Sequence, residues 1–149
     1  MAKLYEVTRG IRLQNAILSV AIRLGIAPKG MHLVAVKGRA SGELRETPIE
    51  PIEMDGKRWL VAPFGEVNWV RNVRKAGQVR LRRGRTVEYL QVREADPGES
   101  APVLRAYLKR GYTGDYFDAG PNSLLDDFEA EAHKHPVFIV LGPTSLDKL

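Results

Sequence analysis

Apolar residues recur along this chain with two different periods. Over residues 10–24, GIRLQNAILSVAIRL, they fall at Ile11, Leu13, Ile17, Leu18, Val20, Ala21 and Leu24. Steps of three and four predict an amphipathic helix packed on the rest of the fold, ended by Gly25 and Pro28. Residues 1–8 precede it as a loose start. His32–Val36 reads as a short apolar strand. Glu43–Glu53 reads as a longer one, and Pro48 and Pro51 within it imply an edge, a bend or a bulge. Asp55-Gly56 is a hairpin signal, with Arg58–Ala62 as the return strand. Val67–Ala76 predicts a helix stopped by Gly77. Gln78–Arg83 and Thr86–Arg93 pair about Gly84. Pro97–Lys109 and Ser123–Lys134 predict two further helices, the second with Ser123 as N-cap and Asp126 three residues on. Between them GYTGDYFDAGPN, residues 111–122, is loop-like. Pro136–Leu141 is a closing apolar strand.

Helix, three strands, helix, two strands, two helices and a strand make no regular strand–helix alternation. The expected class is therefore α+β. Hairpins at Gly and Pro turns favour a mostly antiparallel barrel with helices outside. The 149 residues suit one domain spanning 1–149. A chain of this size buries enough surface to need no disulfide or metal staple. Cysteine is absent, which excludes disulfides, thiolate catalysis and cysteine metal sites. No apolar run approaches the roughly 20 residues of a spanning helix. With no secretory leader recognised, the expected compartment is the cytoplasm.

Charge narrows the partner. Residues 1–93 hold 18 Lys/Arg and 8 Asp/Glu, a net of +10, whereas residues 94–149 hold 5 and 10, a net of −5. A basic front half implies an anion: a phosphate-bearing cofactor, nucleic acid or an anionic membrane surface.

Five segments carry candidate chemistry. KGRASGELRETP, residues 37–48, gathers Lys37, Arg39 and Arg45 around Gly38, Ser41 and Gly42. Glycines let backbone N–H groups approach an anion, and guanidiniums fork onto its oxygens; a solvated basic turn has the same composition. In VAPFGEVNWVRNVRKAG, residues 61–77, a Pro-Phe-Gly turn leads into a helix N-terminus that presents N–H groups. Trp69 there either walls a planar ligand or, with Val73, anchors the helix in the core. Tyr107, Tyr112, Tyr116 and Phe117 either close over an apolar substrate or tuck into the core. His133 and His135 lack a third metal ligand, so no metal site is expected. Arg9, Arg12 and Arg23 flank the first helix, which would suit an anionic membrane as well as docking on the barrel. No nucleophile elbow, dinucleotide fingerprint, P-loop or zincin motif is present.

These parts, in this order, resemble the deazaflavin-dependent nitroreductase family, an actinobacterial group with a split β-barrel of the FMN-binding type. The resemblance covers about residues 8–142. It rests on Gly38-Arg39-Ala40-Ser41-Gly42 followed by Arg45 and Pro48, on Ala62-Pro63-Phe64-Gly65, and on Asn68 through Gly77. It implies a cytoplasmic oxidoreductase. Reduced 8-hydroxy-5-deazaflavin, coenzyme F-420, would donate hydride to a quinone-like or nitroaromatic acceptor. Its polyanionic tail suits the basic front half. The family's phosphate turn would fall on Lys37, Arg39, Ala40, Ser41, Gly42, Arg45, Thr47 and Pro48. Its ring-binding segments would fall on Ala62, Pro63, Phe64, Gly65, Asn68, Trp69 and Asn72. Tyr112 and Tyr116 would face the substrate, with Tyr116 the candidate proton donor.

Two departures stand out. Ala40 replaces a family lysine, and the short Pro-Phe-Gly-Glu turn, with Glu66, replaces a longer lysine-bearing loop. FMN is the second cofactor candidate. A non-catalytic carrier of lipid, heme or flavin on the same barrel is the alternative function. A nucleic-acid binder, carried by Arg80, Arg82, Arg83 and Arg85, is a third. Partners are then a small-molecule acceptor and, through residues 10–24, a membrane surface; the chain is expected to be a monomer or homodimer.

Overall fold

The computed structural model describes residues 2, 4–111 and 114–144. Its elements are α1 (Arg9–Leu24), β1 (His32–Lys37), β2 (Leu44–Ile49), β3 (Ile52–Met54), β4 (Lys57–Val61), α2 (Asn68–Ala76), β5 (Gln78–Arg83), β6 (Thr86–Glu94), α3 (Pro97–Leu108), α4 (Leu125–Glu131) and β7 (Val137–Pro143). Short 3₁₀ turns occupy Gly114–Tyr116 and Ala132–Lys134. The class is α+β, as the sequence implies.

The strands form one antiparallel sheet in the order β2-β1-β5-β6-β7-β4-β3. Its two edge strands, β2 and β3, are consecutive in the chain, with only Glu50 and Pro51 between them. In a flat sheet of this order they would lie about 29 Å apart. Three Cα steps reach no more than about 11 Å. The sheet must therefore curl until its edges approach, which makes a split barrel. The single strand expected over Glu43–Glu53 is thus two strands on opposite edges. Pro51, lacking an N–H, sits at the break. Pro48 remains inside β2, on an edge where its missing donor costs no ladder bond.

Alternation along the strands sends Val34, Val36, Leu60, Val79, Leu81, Leu90, Val92 and Phe138 into the barrel. Helix α2 plugs one end with Trp69, Val70 and Val73. The Trp69 ring lies 5.8 Å from that of Phe138. Away from α2, Arg58 on β4 donates both Nη atoms to Glu88 on β6, at 2.8 and 2.7 Å. The outer face of β3, β4 and β7 is covered by α3 and α4, with Trp59, Leu104, Phe117 and Phe128 between the layers.

Two helix starts differ from expectation. The Ser123 hydroxyl accepts from Gly120 N–H at 2.8 Å and so ties the preceding turn. The last major helix begins later, at Leu125, where the Asp127 carboxylate accepts Leu124 N–H at 3.1 Å. The first helix begins earlier, at Arg9, because Thr8 Oγ1 caps Ile11 N–H at 3.2 Å.

That first helix does pack on the barrel, but through only part of the apolar set its periodicity suggests. Ile22 is fully buried, and Leu18 and Ala21 pack beside it against Ala27, Met31 and Leu33. Leu13, Ile17, Val20 and Leu24 point the other way and are 51–66% exposed. The segment after the helix is tied down by Arg83, whose guanidinium donates to the carbonyls of Ala27, Pro28 and Met31.

Replacing Trp69 by Ala should cost about 3–5 kcal/mol, since its whole ring is core packing. Equilibrium urea unfolding checks this; a loss below 1 kcal/mol would show that the ring does not anchor the plug.

Candidate functional site

The turn after β1 is built before any ligand is considered. Gly38 N–H donates to Glu43 O at 2.7 Å, and Gly42 N–H donates back to Gly38 O at 2.9 Å. Ser41 Oγ accepts from Glu43 N–H at 3.2 Å. A Cβ on Gly38 would lie 2.6 Å from Ser41 Oγ and 3.2 Å from Glu43 O, so a larger residue would displace the Ser41 hydroxyl and crowd the turn. Gly42, at φ 74°, takes the left-handed conformation that ends it.

Helix α2 holds the turn in place. Asn72, 4% exposed, accepts at Oδ1 from Arg39 N–H (3.1 Å) and Arg39 Nη1 (2.8 Å). Lys75 Nζ donates to Arg39 O at 3.1 Å. Asn68, Asn72 and Lys75 recur at four- and three-residue steps, so they share one face of α2. Asn72 thus positions the Gly-Arg turn, and Lys75 supplies a cation there. In sequence, Lys75 is marked as a site residue only by its helical spacing from Asn68 and Asn72.

Strand alternation divides the remaining candidates. Thr47 pairs with Val34 and Arg45 with Val36, so both share the face of β2 that turns into the barrel. Arg45 lies exposed at the mouth, near the α2 plug. Pro48 pairs with Leu33 and faces outward, toward α1. Lys37 also lies on an outward-facing position, exposed. Ala40 and Ser41 are exposed at the tip of the turn.

The Pro-Phe-Gly turn is fastened to the start of β7. Ala62 N–H donates to Pro136 O at 2.8 Å. His135 Nδ1 donates to Pro63 O at 2.7 Å, and a Cβ on Gly65 would lie 3.5 Å from Lys134 O. Phe64 is then left half-buried. Tyr5 stacks on it, with centroids 4.1 Å apart and planes 8° apart. Tyr116 meets it edge-on at 4.8 Å. Tyr5, in the segment expected to be loose, is therefore part of the aromatic cluster; burial, and then Tyr116, push its hydroxyl pKa up. Ala2 N–H also donates to Asp118 Oδ1 at 2.9 Å. Tyr112 lies outside the described residues.

Glu66 does not place a free charge at this site. Arg74 donates to it at 2.8 Å and also pairs with Glu94, and the Glu66 carboxyl is held below its ordinary range by that guanidinium. Trp69 lies in the core, 8% exposed, so the ligand-wall reading gives way to the anchor reading.

The two histidines of HKH diverge. His133 is exposed, whereas His135 is 2% exposed and stacks on Phe117 at 3.8 Å. Among the described residues no group of three His, Asp or Glu could hold a metal ion. His135 Nε2 is buried with no hydrogen-bond partner, 3.9 Å from Glu131 Oε1. Burial lowers its pKa, ahead of the opposing effects of the Pro63 carbonyl and Glu131.

A basic glycine turn, a Pro-Phe-Gly turn with a half-buried ring, and a helix that follows the second turn and holds the first stand at one mouth of a split barrel. The sequence profile of the F420H(2)-dependent quinone reductase family matches residues 7–120. The chain belongs to that family. No curated protein matches it. Among solved structures it is similar to one described as an F420-H2 dependent reductase, at 22% identity over 75% of this chain and 94% of that one, with a TM-score of 0.50. A domain-swapped dimer shares 20% identity over 89% and 93% of the chains, with a TM-score of 0.53. A nimc/nima family protein from Clostridium acetobutylicum shares 14% over 90% and 88%, with a TM-score of 0.51. At these identities the likeness shows the fold. Membership in the F420H2-dependent quinone reductase family makes the chain's class that of an F420-dependent oxidoreductase.

Two outcomes follow from the geometry. Asn72→Ala removes the acceptor of a charged hydrogen bond and should destabilise the protein by about 1.5–3 kcal/mol in urea unfolding. His135 has a folded-state pKa below its ordinary 6.5, so the unfolded chain takes up its proton first. The stability it contributes is full above pH 6.5 and is lost as pH falls through the lowered value. Melting temperature should therefore fall more steeply on acidification in the wild type than in His135→Phe.

Proposed function

We propose that this chain is a reductase that passes hydride from reduced coenzyme F420 to a quinone-like or nitroaromatic acceptor at the α2 mouth of the barrel. The observation that carries this reading is the docking of the Gly38–Gly42 turn on Asn72 and Lys75 of α2. The residues fit a polyanionic, planar cofactor. Arg39, Arg45 and Lys75, with Lys37 behind them, would hold the phosphate and carboxylates. Lys75 offsets the charge missing at Ala40, and Arg74 neutralises Glu66. Ser41 and Thr47 offer hydroxyls beside these cations. The Ala62–Gly65 turn and Asn68 would flank the ring.

When bound, the coenzyme supplies a hydride from C5; the protein supplies orientation and a proton. Phe64 and Tyr5, stacked on each other, would form an apolar wall that excludes water from the ring side. Tyr116, edge-on to Phe64, would be the residue that gives the acceptor its proton. FMN lacks the glutamate tail these cations suit, and is the poorer match.

Helix α1 extends the reading to the acceptor. No described helix is long and apolar enough to cross a membrane. The outward stripe Leu13, Ile17, Val20 and Leu24, continued by Ile26 at 74% exposure, is bordered by Arg9 and Arg12, while Arg23 pairs with Glu46 on β2 at 2.8 Å; the helix itself carries no acidic residue. That pattern suits an anionic membrane surface, where an apolar quinone resides. A carrier of lipid, heme or flavin would use the same barrel without turnover. Arg82 and Arg83 are spent on backbone carbonyls and Arg80 faces Glu46, which disfavours nucleic acid.

Titration with oxidised coenzyme, followed by fluorescence, should saturate and weaken with salt. Arg39→Ala and Arg45→Ala should each cost about 1.5–3 kcal/mol of binding; unchanged affinity in both would reject the tail site. Vesicles with anionic lipid should sediment the protein and neutral ones much less. Ile17→Asp should abolish sedimentation and leave coenzyme affinity as it was.

A further inference from the structure

The cluster under α3 and α4 is apolar apart from three buried polar side chains: Ser100, Glu131 and His135. Two of these three bond to backbone outside their own segment. His135 Nδ1 holds the Pro63 carbonyl at 2.7 Å. A carbonyl only accepts, so Nδ1 carries the proton and neutral His135 has its lone pair on Nε2. Glu131 Oε2 accepts Asp118 N–H at 3.0 Å, and Oε1 accepts Ala119 N–H at 3.2 Å. His135 thus fixes the turn that carries Phe64, and Glu131 fixes the loop just after Tyr116. Nε2 and Glu131 Oε1 face each other at 3.9 Å, with no hydrogen bond between them. Phe117 stacks on the imidazole and keeps it from rotating away. A leucine or phenylalanine would fill this space without burying polar atoms, so volume alone does not explain the pair.

We propose that His135 and Glu131 form a buried bracket that sets the placement of Phe64 against Tyr116, and so the shape of the ring and acceptor pocket. Both are positioning residues that act through backbone. The pocket's role rests on the function proposed above; the bracket itself does not.

Protonation would add a donor at Nε2 aimed at Glu131. The charged groups facing His135 are Glu131 on α4, Asp118 in the loop and Lys134 beside it. An Nε2–H would draw Glu131 from the Asp118 and Ala119 amides, loosening the Tyr116 loop in acid.

Two variants separate the bracket from simple packing. His135→Asn keeps an N–H where Nδ1 stands but cannot titrate; His135→Phe keeps the stack and loses the donor. In unliganded protein, NMR contacts between the Phe64 and Tyr116 rings should persist in His135→Asn and be lost in His135→Phe. Retained contacts in His135→Phe, or equal loss in both, would overturn the bracket whatever the coenzyme does. With reduced coenzyme F420 and menadione, His135→Phe should lose about tenfold or more in kcat. Its affinity for oxidised coenzyme should change less than about threefold, because Arg39 and Arg45 are untouched. His135→Asn should keep kcat near wild type and lose the fall in activity that wild type shows as pH drops through the lowered His135 value. Should His135→Phe not fold, that profile decides alone, and an acid limb kept in His135→Asn overturns the bracket. Failure of wild type to bind coenzyme would reject the proposed function and leave the NMR result to judge the bracket.

Discussion

Everything in this fold depends on a two-residue connection. Glu50 and Pro51 join strands at opposite edges of a seven-stranded sheet. So short a link is compatible only with a sheet rolled nearly shut. Rolling creates an interior for Val34, Leu60, Leu81 and Phe138, and it creates two mouths. One is bridged by the Arg58–Glu88 pair on the strand ends away from α2; the other receives α2. The apolar side of α2 closes the barrel, and its polar side is left facing the turn after β1. The candidate site is a consequence of how the barrel is plugged.

Electrostatics at that mouth is arranged in two tiers. Buried or shared groups fix backbone: Asn72 holds the Gly-Arg turn, and Arg74 draws Glu66 and Glu94 together at its rim. Exposed cations, Arg45 and Lys37 among them, remain at the surface. A neutral buried amide is well suited to the first task, because it orients a guanidinium without cancelling its charge. The overall excess of basic residues in the front half therefore understates how locally it is concentrated.

Much of this was legible in sequence. The period of three and four marked α1, the Gly77 stop marked the end of α2, and the Asp55-Gly56 and Gly84 turns marked two of the three hairpins. The ordered segments Gly38–Gly42, Ala62–Gly65 and Asn68–Gly77 carried the family resemblance, which the profile match over residues 7–120 bears out. These signals are local: they depend on dihedral preferences, periodicity and turn chemistry within a few residues.

What sequence alone determined was the class of fold, the family and the identity of the charged and glycine-rich turns. Tertiary structure decided which side of each element meets which neighbour. Periodicity shows that α1 has an apolar stripe, but not that Ile22 is buried while Leu13 and Ile17 face outward. Composition offers Trp69 to a ligand, and only the plugged barrel sends it to Phe138. Tyr5 and Phe64 stand far apart in the chain, as do His135 and Pro63, and no local rule pairs them. Long-range contacts are selected by the closure of the whole sheet, and a property of the closed sheet is not written in any one segment.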